Sequence, residues 1–144
     1  MQTSGLRVWL ILWKAYEAMR EHARTHAESL ELCLSDFGVL EVVLEKGPTP
    51  VNAIGEKIRL TSGSITTAVD RLERKGLVER WADAGDRRAR VVNLTSQRRK
   101  LIASSIEQQE AAMERAASGL TVAERTQVVA LLKKLGLEAQ RLLR

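Results

Sequence analysis

The sequence predicts a mainly α-helical fold of about six helices interrupted by one small β-hairpin. Three observations carry that prediction. Apolar residues make up 44% of the 144-residue chain while aromatics make up only 3%. Leu, Val, Ile and Ala therefore build the core, which favours packed helices over a sandwich or barrel. Apolar positions recur at helical spacing along most of the chain, and the period changes only between Leu77 and Leu94. The length suits one compact domain with a core large enough to fold without a disulfide or metal staple.

The elements follow in order. Leu6, Trp9, Leu10, Trp13 and Met19 share one face of a first helix over 6–27. Ser35 is suited to cap a second helix ending near Lys46, with Phe37, Leu40, Val43 and Leu44 inward, before Gly47-Pro48 stops it. Pro50 fits the first turn of a short third helix carrying Ile54 and Ile58. Thr61 or Ser62 caps a fourth helix, and Gly76 ends it. The linker between helices three and four is about three to four residues, the length expected of a helix-turn-helix.

Leu77–Ala82 and Ala89–Leu94 read as short strands joined by Asp83-Ala84-Gly85-Asp86, which is turn chemistry. This hairpin with a charged tip is a wing. Thr95 is placed to cap a long fifth helix reaching about Ser118, where Gly119 stops it. Thr121 and Glu124 form a capping box for a sixth, which carries Val128, Leu131, Leu132, Leu135 and Leu142. The expected organisation is a winged helix-turn-helix lobe over 34–95, flanked by helices over 6–27 and 96–143.

Charge narrows the function. The net charge is +5, yet Arg71–Lys100 alone holds ten Lys/Arg against four Asp/Glu, so the rest of the chain is slightly acidic. Basic charge concentrated in one stretch is the footprint of a polyanion partner, here double-stranded DNA. On helix four, Ile65, Val69 and Leu72 face the core, while Ser64, Thr67, Asp70, Arg71 and Arg74 face outward. Ser62 and Thr66 add hydroxyls at its start. Small polar residues there let a backbone approach base edges in a major groove, and arginines reach guanine or phosphate. A solvated surface helix would share this pattern, but the basic wing that follows favours DNA. Arg87, Arg88 and Arg90 lie at or beside the hairpin tip, where guanidinium suits a minor groove. Asp86 is expected to hold the Arg88 guanidinium in a carboxylate fork; an ordinary charged hairpin is the alternative.

These residues resemble the MarR family of transcription regulators. Leu34–Leu60 is similar to the second and third helices of that family, and Thr61–Arg80 to its recognition helix and first wing strand. Asp86–Thr95 matches the wing signature D-x-R-x-x-x-V-x-L-T at Asp86, Arg88, Val92, Leu94 and Thr95. The resemblance spans about 34–102. It implies a homodimer built from the first and last two helices, with each lobe reading one half-site of a pseudo-palindromic operator. It also implies a repressor released by a small effector, often an aromatic acid or quinone, or by thiol oxidation.

Sensing residues are less sharply marked. The single cysteine, Cys33, precludes an intramolecular disulfide and suits a reducing cytoplasm. Flanked by Leu32 and Leu34, it is expected to pack as a small hydrophobe; a sensor thiol near a helix start is the alternative. His22 and His26 share a helix face, and solvation explains them better than a metal site with Cys33; no metal or cofactor is expected. Trp9, Trp13 and Tyr16 read first as dimer packing and second as the wall of a pocket for a small aromatic effector, with Arg20, Arg24 or His26 as carboxylate partners. The apolar run Val8–Trp13 is too short to span a membrane and carries no cleavage pattern, so a cytoplasmic protein is expected. No catalytic constellation or phosphate loop is visible, so no enzyme is expected. The remaining alternatives are an effector-independent architectural DNA-binding protein and a winged helix that binds protein.

Overall fold

The computed structural model describes residues 3–86 and 88–144. The chain runs α1 (Gly5–Ser29), α2 (Leu34–Lys46), β1 (Thr49–Pro50), α3 (Val51–Ile58), α4 (Ser62–Arg74), β2 (Val78–Ala82), β3 (Arg90–Leu94), α5 (Arg99–Ala116) and α6 (Val122–Arg141). It forms two compact units, one ending at Met113 and one spanning Glu114–Arg144.

In the first unit, α2, α3 and α4 pack around Phe37, Val39, Val43, Ile54, Ile65, Val69 and Leu72, all essentially buried. Gly55 lets α3 and α4 close on each other: a Cβ there would stand 3.2 Å from Ile65 Cγ2. The α3–α4 connection is Arg59–Thr61, as short as a helix-turn-helix requires. Thr61 caps α4, its Oγ1 accepting from Ser64 N at 3.2 Å.

Helix α4 ends in a Schellman turn. Leu77 N–H donates to Leu72 O at 3.0 Å and Gly76 N–H to Glu73 O at 3.0 Å, with Gly76 at φ +71°. Open space surrounds the position of a Gly76 Cβ, so a side chain there costs only backbone strain. Gly76→Ala is expected to destabilise the fold by about 1–2 kcal/mol, measured as a lower urea midpoint with unchanged slope.

The sheet is three-stranded and antiparallel, in the order β1-β3-β2. Val78 pairs with Leu94 and Ala82 with Arg90 across the wing. β1 pairs Thr49 with Val92 and Pro50 with Val91. Strand β1 is too short to register as a sequence period, and Pro50 sits in it as the N-cap of α3 rather than inside the first turn. Proline is tolerated there because β1 is an edge strand.

Two further expectations are corrected. Helix α2 starts at Leu34 with Cys33 as its N-cap, so Ser35 lies within the first turn. Thr95 does not cap α5, which begins at Arg99. Its N–H donates to Leu77 O at 3.1 Å and its Oγ1 to Gly76 O at 2.8 Å, so it closes the base of the wing onto the end of α4.

In the second unit, Thr121 and Glu124 form the expected capping box of α6. Arg125 donates to Glu114 at 2.5 Å and to Ala117 O at 3.1 Å. No residue of α6 is buried. No described helix is long and apolar enough to cross a membrane.

Candidate nucleic-acid interface

Helix α4 buries Ile65, Ala68, Val69 and Leu72 and exposes Ser62, Ser64, Thr66, Thr67 and Arg74. The exposed threonines are ordered by the helix itself. Thr66 Oγ1 donates to Ser62 O at 2.8 Å and Thr67 Oγ1 to Gly63 O at 2.9 Å. With those protons engaged, each hydroxyl presents acceptor lone pairs and a methyl to its surroundings. Lone pairs match base amino groups and a methyl matches the thymine methyl.

Two carboxylates on α4 share one arginine that sequence reasoning left unassigned. Arg80 on β2 places Nη2 2.6 Å from Asp70 Oδ1 and 3.0 Å from Glu73 Oε1. Hydrogen bonding to Glu73, and then to Asp70, raises the Arg80 pKa further above its ordinary value. The guanidinium ties the wing strand to α4 and offsets part of the negative charge on that helix. Several arginines lie near Glu73 in the chain; only folding β2 against α4 identifies Arg80 as its partner.

Arg71 departs from its expected place. Its guanidinium turns away from the outer face of α4 and forks the Asp36 carboxylate of α2. Nη2 donates to Oδ1 at 2.7 Å, and Nε lies 3.2 Å from both oxygens. The Asp36 side chain is only 4% exposed, and a buried carboxylate needs a counter-charge. That hydrogen bonding also raises the Arg71 pKa. The signal for Asp36 was in the sequence: it lies one helical turn before Leu40 on the apolar stripe of α2. Arg74 remains exposed, with Nε donating to Asp70 O at 3.3 Å.

At the wing, Asp86 also has a different task from the one expected. Its Oδ1 accepts the Arg88 backbone N–H at 2.9 Å, and its carbonyl accepts from Ala89 N at 3.1 Å. The carboxylate shapes the turn instead of forking the guanidinium, because a two-residue separation in a tight turn brings it to the backbone first. Arg88 and Arg90 are exposed, and among the described residues neither has an ion-pair partner. Arg87 lies outside the described residues. A cleft of about 440 Å³ is not the only concavity of the lobe: a second, of about 420 Å³, joins α4, α3 and the wing, lined by Ser62, Thr66, Asn52, Arg80, Arg88 and Arg90.

The 440 Å³ cleft lies between α1, α2 and α3 and is lined by Tyr16, Arg20, Cys33, Ser35, Gly38 and Ile58. Cys33 is exposed, so the packing expectation fails; as N-cap it sits at the surface end of α2. Its Sγ is 3.1 Å from Ser35 Oγ and 3.5 Å from Arg71 Nη2. Trp13 stays outside this cleft, half exposed and stacked on Trp9 at 6.3 Å. His26 is also elsewhere. Its Nε2 is 3.1 Å from Ser105 O and its ring meets Phe37 edge-on at 5.7 Å, so it docks α1 against α2 and α5.

The MarR family model matches residues 32–89, which hold α2 to α4 and the first wing strand. The HTH-type transcriptional regulator MhqR of Bacillus subtilis is 34% identical over 140 residues, covering 97% of either chain. The chain belongs to the MarR family. It is thus a DNA-binding transcriptional regulator with a winged helix-turn-helix. The uncharacterized HTH-type regulator YkoM of B. subtilis is 30% identical over 96% of this chain and 90% of its own. Two solved structures share the fold. BpsR of Bordetella bronchiseptica superposes with a TM-score of 0.80 at 24% identity, over 90% of this chain and 98% of its own. The Staphylococcus aureus MepR–DNA complex gives 0.77 at 22%, over 91% and 96%.

Proposed function

We propose that this MarR-family regulator is a homodimeric repressor, each lobe reading one half-site of a pseudo-palindromic operator. The observation that carries the reading is the shared cleft in which the hydroxyl-bearing start of α4 meets Arg88 and Arg90 of the wing. Ser62, Ser64, Thr66 and Thr67 enter a major groove, Arg74 reaches phosphate, and Arg88 and Arg90 lie along the flanking minor groove. Asp86 shapes the turn that presents Arg88. Arg71 is left out of the contact set because its guanidinium is engaged by Asp36.

Dimerisation accounts for two apolar surfaces. Helix α1 exposes Leu6, Trp9, Leu10 and Trp13, and α6 exposes Val128, Leu131, Leu132 and Leu135. Apolar side chains at helical spacing that no part of their own unit covers call for a partner. A second copy supplies one, and it sets two α4 helices about one DNA turn apart, roughly 34–36 Å.

Release by a small effector is supported by the α1–α3 cleft, where Tyr16 offers a ring and Arg20 a cation for a carboxylate. BpsR, a structural neighbour, has its DNA binding regulated by 6-hydroxynicotinic acid, a small aromatic acid. Exposed Cys33 in the same cleft supports thiol modification as the second route of release.

The test is a titration of operator DNA from the region upstream of the gene, with and without a quinone. Specific, salt-sensitive binding to a pseudo-palindrome is expected. Arg88→Ala is expected to weaken it by about 1–3 kcal/mol and to flatten the salt slope by roughly 1. Unchanged affinity in that variant would remove the wing from the interface. Quinone-driven release lost in Cys33→Ser assigns sensing to the thiol; release retained there assigns it to the cleft.

A further inference from the structure

We infer that the Arg71–Asp36 ion pair, beside the Arg80 pairs that hold α4 to the wing strand, sets the rotation of α4 against α2 and so in the groove, making Arg71 a positioning residue for sequence readout. The Cα of Arg71 belongs to the stripe Ser64, Thr67, Arg71, Arg74, the face that carries the reading hydroxyls. Its side chain, however, reaches back to α2 and closes a fork on Asp36 at 2.7–3.2 Å. Among the described residues, every hydrogen bond to that carboxylate comes from Arg71. The core face of α4 offers only aliphatic contacts through Ile65, Ala68, Val69 and Leu72. Such contacts set the depth of a helix but are non-directional, so they tolerate small rotations. A two-nitrogen fork is directional, and its anchor is fixed because Asp36 is buried in the first turn of α2. One turn of α4 separates Arg71 from Thr67, so a rotation at the fork is carried directly to the reading face.

The inference rests on the reading of α4 as the groove helix, and Thr67→Val separates the two. Two variants remove the fork differently. Arg71→Lys keeps the charge and loses the planar, two-nitrogen geometry. Asp36→Leu/Arg71→Met removes both charges, keeps the net charge, and leaves no buried carboxylate behind. Each is titrated against operator and scrambled DNA over a range of salt, with urea unfolding as the check on the fold. In both, specific affinity is expected to fall about tenfold or more while scrambled-DNA affinity stays level. The salt slope stays at the wild-type value, because no phosphate contact is lost.

A phosphate-contacting Arg71 would behave otherwise: the lysine variant would keep most affinity and the double variant would lose about 0.9 from the slope, overturning the proposal. If Thr67→Val loses specificity while both fork variants keep it, the positioning role is wrong and the groove reading stands. If Thr67→Val, too, leaves specific binding intact, the groove reading fails and the positioning role fails with it.

Discussion

Trp9→Glu combined with Trp13→Glu is expected to convert the protein to a monomer and to weaken operator binding about 100- to 10,000-fold. Trp9 and Trp13 are 58% and 53% exposed and stack on one face of α1 together with Leu6 and Leu10. Two charges on that face make its burial against a partner prohibitive, since each would have to leave water unpaired. The DNA contacts of each lobe are untouched, so half-site binding survives. What disappears is the second, tethered engagement, which contributes a factor of about 10²–10⁴. Sedimentation equilibrium reports the assembly state, and a titration against whole and half operators reports the affinity. A double variant that still sediments as a dimer would move the interface off α1. Leu132→Glu on α6 is the companion test, because α6 has no buried residue within its own unit.

Phe37→Ala is expected to cost about 3–5 kcal/mol of folding stability. Phe37 is 1% exposed and is among the largest fully buried side chains. It belongs to the core cluster that joins α2 to Ile65, Val69 and Leu72 of α4, and its ring also receives the edge of His26 from α1. Truncation leaves a cavity where three helices meet, and only partial collapse can fill it. Domains of this size hold about 5–15 kcal/mol in total, so the variant stands near the threshold of unfolding at growth temperature. Urea unfolding followed by circular dichroism measures the loss. A change below about 1 kcal/mol would mean that α2 repacks freely, and the rigid support argued for α4 would fail with it.

Local chemistry made most of the lobe legible in advance. Thr61 at the start of α4, Gly76 at its end and the capping box of α6 each act within a few residues, so their consequences could be read from adjacent positions. The wing signature likewise sits in one short stretch. Thr95 misled because a threonine ahead of a helical pattern is an N-cap by local rules. Its hydroxyl finds Gly76 O instead, 19 residues back, once the hairpin folds against α4.

The sequence alone determined the order of the six helices and the two wing strands, the helix-turn-helix spacing, the polar and apolar faces of α4 and the concentration of basic charge at the wing. Those properties depend on periodicity and composition, which a chain carries whether or not it is folded. Only the tertiary structure decided which of the described arginines are engaged in ion pairs. Arg71 and Arg80 have the same chemistry as Arg74, Arg88 and Arg90, and nothing nearby in the chain distinguishes them. Their guanidinium groups are engaged by Asp36, 35 residues away from Arg71, and by Asp70 and Glu73 on the helix that packs beside the Arg80 strand. Cys33 was likewise placed by folding, at the exposed N-cap of α2 instead of among its leucine neighbours. Ion pairing and exposure are properties of positions in space, and those positions exist only after the helices have packed.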